Sequence, residues 1–209
     1  MRSTTARLLL TPFALAALAA CASGASMEGA EPAGPMRAGM ASSQSMAGWS
    51  AASREAMSTM TAKYGQPNEM TPTMAVWHDN GPWKRTIVYA RAVQHDFPMP
   101  HPDVMEQFVD YRVPTDRFDD LAMYDGSVVV ERTNGEISAR CDKEGANFLA
   151  LNLAHEIATG RRTAQDARRM YAEQIMAMKA GRPAPYTERL MFTPMRGTSM
   201  DPDRPAASR

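Results

Sequence analysis

The chain reads as an α+β domain, an antiparallel sheet of about five strands with helices packed on one face. Three observations carry this. In "SVVVERTNGEISARC", residues 127–141, two β-rich runs flank Asn134-Gly135, a pair that favours a hairpin turn. In "NFLALNLAHEIAT", residues 147–159, the apolar side chains recur at helical spacing. The order of elements along residues 49–192 is helix, two strands, strand, helix, two strands, two helices, which is the order of an α+β fold.

Each element has a local reason. Residues 53–64 form a helix with Ser53 as N-cap, Met57, Met60 and Tyr64 on one face, and Gly65 as the stop. In "TMAVWHDNGPWKRTIVYARAV", residues 73–93, two strand-like runs flank Asn80-Gly81. Pro82 has no N–H to close a two-residue turn, so a looser four-residue loop closed near His78 and Trp83 is expected. A third strand covers 105–113, and Pro114 opens a short helix through Tyr124. In the second hairpin a two-residue turn at Asn134-Gly135 pairs Val130 with Ala139 and Val128 with Cys141. Asp142 caps a helix over 143–159 that buries Leu149, Ala150, Leu153, Ala154 and Ile157, with Asn152, His155 and Glu156 opposite. Thr163 and Asp166 box the start of the last helix, 164–180, and Gly181 with Pro183 ends it. "TERLMF", 187–192, reads as an edge strand.

Residues 1–20 stand outside this fold. Arg2 and Arg7 precede a thirteen-residue apolar run, 8–20, which has the length of a signal-peptide core and is short for a membrane span. The run ends in Leu18-Ala19-Ala20-Cys21, which resembles the lipobox of bacterial lipoproteins. The resemblance implies cleavage before Cys21, a diacylglycerol thioether on Cys21 and an acylated (palmitate-type) N-terminus. With Ala22 following the cysteine, it also implies an address at the outer membrane, facing the periplasm. Residues 21–48, rich in Ala, Gly, Ser, Pro and Met, then read as the lipidated cysteine and a flexible tether reaching roughly 30 Å. Residues 193–209 read as a disordered tail.

Removal of residues 1–20 takes Lys+Arg from 23 to 21 against 23 acids, a net charge of −2. Such a balance argues against a nucleic-acid partner. With Cys21 lipidated, Cys141 has no intrachain partner and the fold has no disulfide.

Candidate sites are few. "VQHDFPMPHPDVMEQF", residues 93–108, places His95, Met99 and His101 among three prolines. Phe97, Met99 and His101 each precede a proline and are biased toward extended backbone. An extended chain sets His95 and His101 about 20 Å apart. The prolines then hold the donors apart, and the stretch reads as a stiff connector rather than a metal site. Eighteen methionines suggest copper handling, but Met57, Met60, Met170 and Met178 fall on core faces of helices. Cys141 reads as a buried thiol, too far along the helix from His155 for a Cys–His pair. Asp116, Asp119 and Asp120 read as a solvated helix face, and Arg161, Arg162, Arg168 and Arg169 as a solvated flank. Trp77, Trp83, Lys84, Arg85 and Tyr89 on the first hairpin form the candidate interaction surface, since interfaces favour aromatics and arginine.

The helix, "YGQP", the strand ending in "VW" and the Gly-containing turn resemble small outer-membrane lipoproteins of the barrel-assembly machinery over about 50 residues. "NGPWKRTIVY", "DGSVVVERTNGEISARCD" and "NFLALNLA" resemble a set of uncharacterised bacterial lipoproteins, which implies no activity. The expectation is a lipid-anchored envelope protein that acts by binding, its partners the membrane and another envelope protein. It is not expected to be an enzyme or to hold a cofactor. A copper-binding lipoprotein and an exported thiol enzyme are the alternatives.

Overall fold

The computed structural model describes residues 46–197, 199–201 and 203–207. The expected signal segment, Cys21 and the part of the expected tether up to residue 45 lie outside the described residues. The fold is α+β. Its elements are α1 (Ala51–Tyr64), β1 (Glu69–Met70), β2 (Met74–His78), β3 (Arg85–His95), β4 (His101–Asp110), a 3-10 turn (Thr115–Arg117), α2 (Phe118–Tyr124), β5 (Val128–Glu131), β6 (Glu136–Cys141), α3 (Glu144–Ala158) and α4 (Ala164–Lys179), followed by a second 3-10 turn (Pro185–Thr187). The strands form one antiparallel sheet in the order β1-β2-β3-β4-β6-β5, so the two-residue β1 adds a sixth strand to the five expected.

The helices share one face of the sheet. Gln107 on β4 shows this, because its amide reaches both the Met60 sulfur on α1 and the Glu144 carboxylate on α3. The core under α1 holds Trp49, Trp77, Val88 and Met105, and the core between the sheet and the last two helices holds Val109 and Ile137 from the sheet with Leu149 and Leu153 from α3 and Tyr171 from α4. Burying such large side chains at about 25 cal/mol per Å² is the main driving force for the fold.

Several local expectations change. Ser50, not Ser53, caps α1, and its hydroxyl accepts the Ser53 N–H. No side chain caps α3, where Lys143 occupies the cap position. Asp142 instead accepts from the Cys141 thiol. Thr163 does cap α4, accepting the Asp166 N–H. The first hairpin has the looser loop expected: beyond the last strand pair, His78 facing Arg85, the Asp79 N–H donates to the Lys84 carbonyl and closes four residues, 80–83. In the second hairpin Val128 faces Ala139 and Val130 faces Ile137. The register is two residues away from the one expected, which leaves every side chain on its expected face. Glu131 causes the longer loop, since its carboxylate accepts the Asn134 N–H and closes a turn before the strands pair.

Residues 187–192 form no strand, because Asn152 takes their backbone groups. Its amide donates to the carbonyls of Tyr186 and Arg189 and accepts the Met191 N–H. Asn152 is therefore a buried clamp and not a solvent-facing residue. The segment expected as a disordered tail makes defined contacts as far as Asp203. Gly197 N–H donates to Asp110, Arg112 donates to the Ser199 carbonyl, and Arg132 pairs with Asp201 and Asp203. A Cβ at Gly135 would stand 2.0 Å from the Ser199 oxygen, so this crossing needs glycine.

Glu144, at the start of α3, accepts from Lys63, Tyr64, Trp83 and Gln107. Burial alone would raise its pKa, but the bonds from Lys63, Tyr64 and Trp83 outweigh burial and hold it below the ordinary glutamate range. The half-exposed Lys63 adds little to stability, and the buried bonds carry the effect. A depressed acid contributes stability that is complete above its unfolded value of 4.5 and is lost as pH falls through the folded value. Glu144→Gln should lower the unfolding free energy at pH 7 by about 2 kcal/mol. It should also flatten the loss of stability below pH 4.5, both read by urea unfolding across pH.

Candidate functional site

Trp77 and Trp83 are each 1% exposed. The Trp77 indole donates to the Gly65 carbonyl, and the Trp83 indole stacks on Phe148 and donates to Glu144. Neither belongs to a contact surface. Alternation along β3 places Arg85 and Tyr89 on the face away from the helices. There Arg85 and Lys84 pair with Glu136, and the Tyr89 hydroxyl donates to Glu106. The interaction surface expected on this hairpin is thus a set of core anchors and satisfied ion pairs.

The prolines, in contrast, do not separate the histidines. Asp96–Pro100 make the turn between β3 and β4, with a cis Phe97–Pro98 peptide, and His95 and His101 become direct cross-strand partners. Their rings stand 5.0 Å apart. Each X-Pro residue is restricted, but a run of them need not extend in one direction, and the extended-chain distance does not apply. A second feature sets the pairing. Val88 faces Met105, and beyond an irregularity in β3 Val93 faces Asp103. If the first register continued, Ala92 would face His101. The irregularity is held from outside the sheet, because the Ala90 carbonyl accepts from Ser50 N–H and the Ser53 hydroxyl.

Residues two apart on a strand share a face, so Asp103 joins His101. Asp103 is 1% exposed. Asp125 and Ser127, just before β5, complete the group. The Ser127 hydroxyl donates to Asp103 Oδ2 and stands 3.3 Å from His95 Nδ1. His95 Nδ1 is 3.4 Å from Asp103 Oδ2, and its Nε2 is 3.7 Å from Asp125 Oδ1. His101 Nδ1 donates to the Met99 carbonyl at 2.9 Å, and its Nε2 is 3.2 Å from Asp103 Oδ1. That last approach is off the line of a hydrogen bond, and Asp103 Oδ1 is left without a hydrogen-bond donor.

The electrostatics follow. Asp103 and the Cys141 thiol raise the His101 pKa to about 11, against the opposing effect of burial. Burial raises Asp125, only partly offset by the Ser127 N–H and His95. Burial also raises Cys141, against the pull of His101. His101 and Cys141 form part of the wall of a cavity of about 260 Å³ beside Ala146, Tyr171, Ile175 and Met178. Arg168 holds the site's edge, lying 3.7 Å over Phe97 in the β3–β4 turn and donating to the Tyr124 carbonyl beside Asp125. It is therefore not part of a solvated flank. Arg162 pairs with Glu156 and Arg169 with Asp166. Met99 lines the same cavity and holds His101 through its carbonyl, while its sulfur is approached by Lys179 Nζ at 2.7 Å.

The imidazole beside Cys141 is thus His101, not His155, which bonds the Tyr111 hydroxyl and stacks on Phe192. Asp116 and Asp120 flank Arg117 on the outside of the 3-10 turn and α2. Compared with protein-family models, with curated proteins and with solved structures, the chain finds no match. With its thiol pushed up by burial, Cys141 is a poor nucleophile at neutral pH. An aromatic disulfide reagent should modify Cys141 of the native protein at least about 10-fold more slowly than in urea, where the thiol regains its ordinary reactivity.

Proposed function

We propose that this is a lipid-anchored protein of the cell envelope that acts by binding a small ligand at the His95–His101–Asp103–Asp125 end of the sheet. The anchor is the lipid implied on Cys21, and the address is the outer membrane, facing the periplasm. The observation that supports a ligand site is Asp103 Oδ1, which is buried and takes no hydrogen bond although His101 Nε2 stands 3.2 Å away, beside a second imidazole and a second buried carboxylate. A buried carboxylate oxygen without a donor costs free energy that a purely structural core avoids. Local conflicts of this kind are expected where a fold is kept for what it binds. The partner reading through the hairpin aromatics loses its surface with Trp77 and Trp83. A thiol enzyme is disfavoured by the protonated state of Cys141.

Two outcomes test this reading. Asp125→Asn keeps the acceptor for the Ser127 N–H and removes one buried charge. In the presence of chelator it should raise the melting temperature by about 2–4 °C, equivalent to about 1 kcal/mol. A fall of similar size would make the cluster a structural network. Cys21→Ala should move the folded protein from the membrane fraction to the soluble one, and retention in the membrane fraction would sink the anchor.

A further inference from the structure

We infer that His95, His101 and Asp103 form a site for one divalent transition-metal ion of the zinc type. This rests on the ligand-site reading above and names the ligand. One donor atom from each residue lies within 4.8 Å of the other two. Around a tetrahedral ion with bonds of about 2.0–2.2 Å, donors stand about 3.3–3.6 Å apart, so a small inward movement of side chains closes the site.

The orientation of His101 is already arranged. A carbonyl only accepts, so His101 Nδ1 keeps its proton on Met99, and an ion would take the place of the Nε2 proton that faces Asp103. A metal-bound histidine usually donates its second N–H to a carbonyl or carboxylate in this way. His95 follows the same plan, with Nδ1 toward Asp103 and Nε2 toward the Asp125 carboxylate. Ser127 holds Asp103 by Oδ2, leaving Oδ1 without a hydrogen bond and with only His101 Nε2 near it, and Asp103 is 1% exposed. A dication there would supply the missing partner and offset the charges of Asp103 and Asp125.

The donor set also selects among ions. Two imidazoles and a carboxylate suit zinc and its borderline neighbours. A soft Cu(I) ion would want thioether or thiolate donors. The Met99 sulfur faces Lys179, and Cys141 does not complete the donor group. The alternative of copper held by His95, Met99 and His101 thus gives way in this proposal to a histidine–carboxylate site for a divalent ion. Three protein donors leave at least one coordination position for water or a small ligand.

The test uses the full-length lipidated protein in detergent, stripped with a chelator. Zn²⁺ is titrated against a chromophoric competitor, and Co²⁺ is followed by its visible absorption. One ion per chain is expected, with affinity lowered at least about 100-fold in His101→Ala and in the isosteric Asp103→Asn. Asp125→Asn, acting through His95, should weaken binding about 10- to 100-fold. Melting curves in chelator confirm that each variant is folded. Absence of stoichiometric binding, or binding unchanged in both ligand variants, overturns the metal assignment. In that case a raised melting temperature for Asp125→Asn leaves a ligand site for some other small molecule, and a lowered one removes both readings.

Discussion

One buried carboxylate holds the two halves of the domain together. Glu144 receives Lys63 and Tyr64 from α1, Trp83 from the first hairpin and Gln107 from β4, and it sits itself at the start of α3. The core under α1 and the core under α3 and α4 are otherwise joined by the sheet and by Tyr64, which packs against both. Several donors on one ionised acceptor give more than separate neutral bonds, because each bond to a charge is about twice as strong. The position at the first turn of α3 adds a favourable helix dipole for the negative charge.

With the helices fixed in this way, the other end of the sheet is left with a contrasting polar group. Glu144 has a donor for each of its bonds, whereas Asp103 has one oxygen satisfied by Ser127 and one with none. Both carboxylates lie on the helix-covered side of the sheet, Glu144 at the start of α3 and partly buried, Asp103 on β4 and fully buried. The difference between them separates a structural acid from one available to a ligand.

The regular elements were legible in the sequence where the signal is local. The α4 cap at Thr163, the apolar face of α3 and the antiparallel β5–β6 pair follow from neighbours within a few residues. The register of that pair was not legible, since it depends on a carboxylate of Glu131 entering the turn. Nor was the Asn152 clamp, because an asparagine on the polar side of a helical pattern gives no sign of the strand-like segment it will bind. Of the site, His101 was singled out, but the strand was expected only from residue 105 and in fact begins at His101, so its shared face with Asp103 was not drawn. His95 was not legible as a partner of His101. Its place opposite His101 requires both the turn at Asp96–Pro100 and the extra residues of β3, and the latter are set by Ser50 and Ser53 from far away in sequence.

The contact at Ala90 also defines a load path. Trp49, buried and bonded through its indole to the Pro72 carbonyl, is followed at once by Ser50, whose N–H ends on Ala90. A pull arriving along the chain from before residue 46 is therefore resisted first by the indole and then by the irregular stretch of β3. That stretch leads directly to His95. The point where the domain takes up tension and the residue that completes the histidine pair are mechanically in series, five residues apart on one strand.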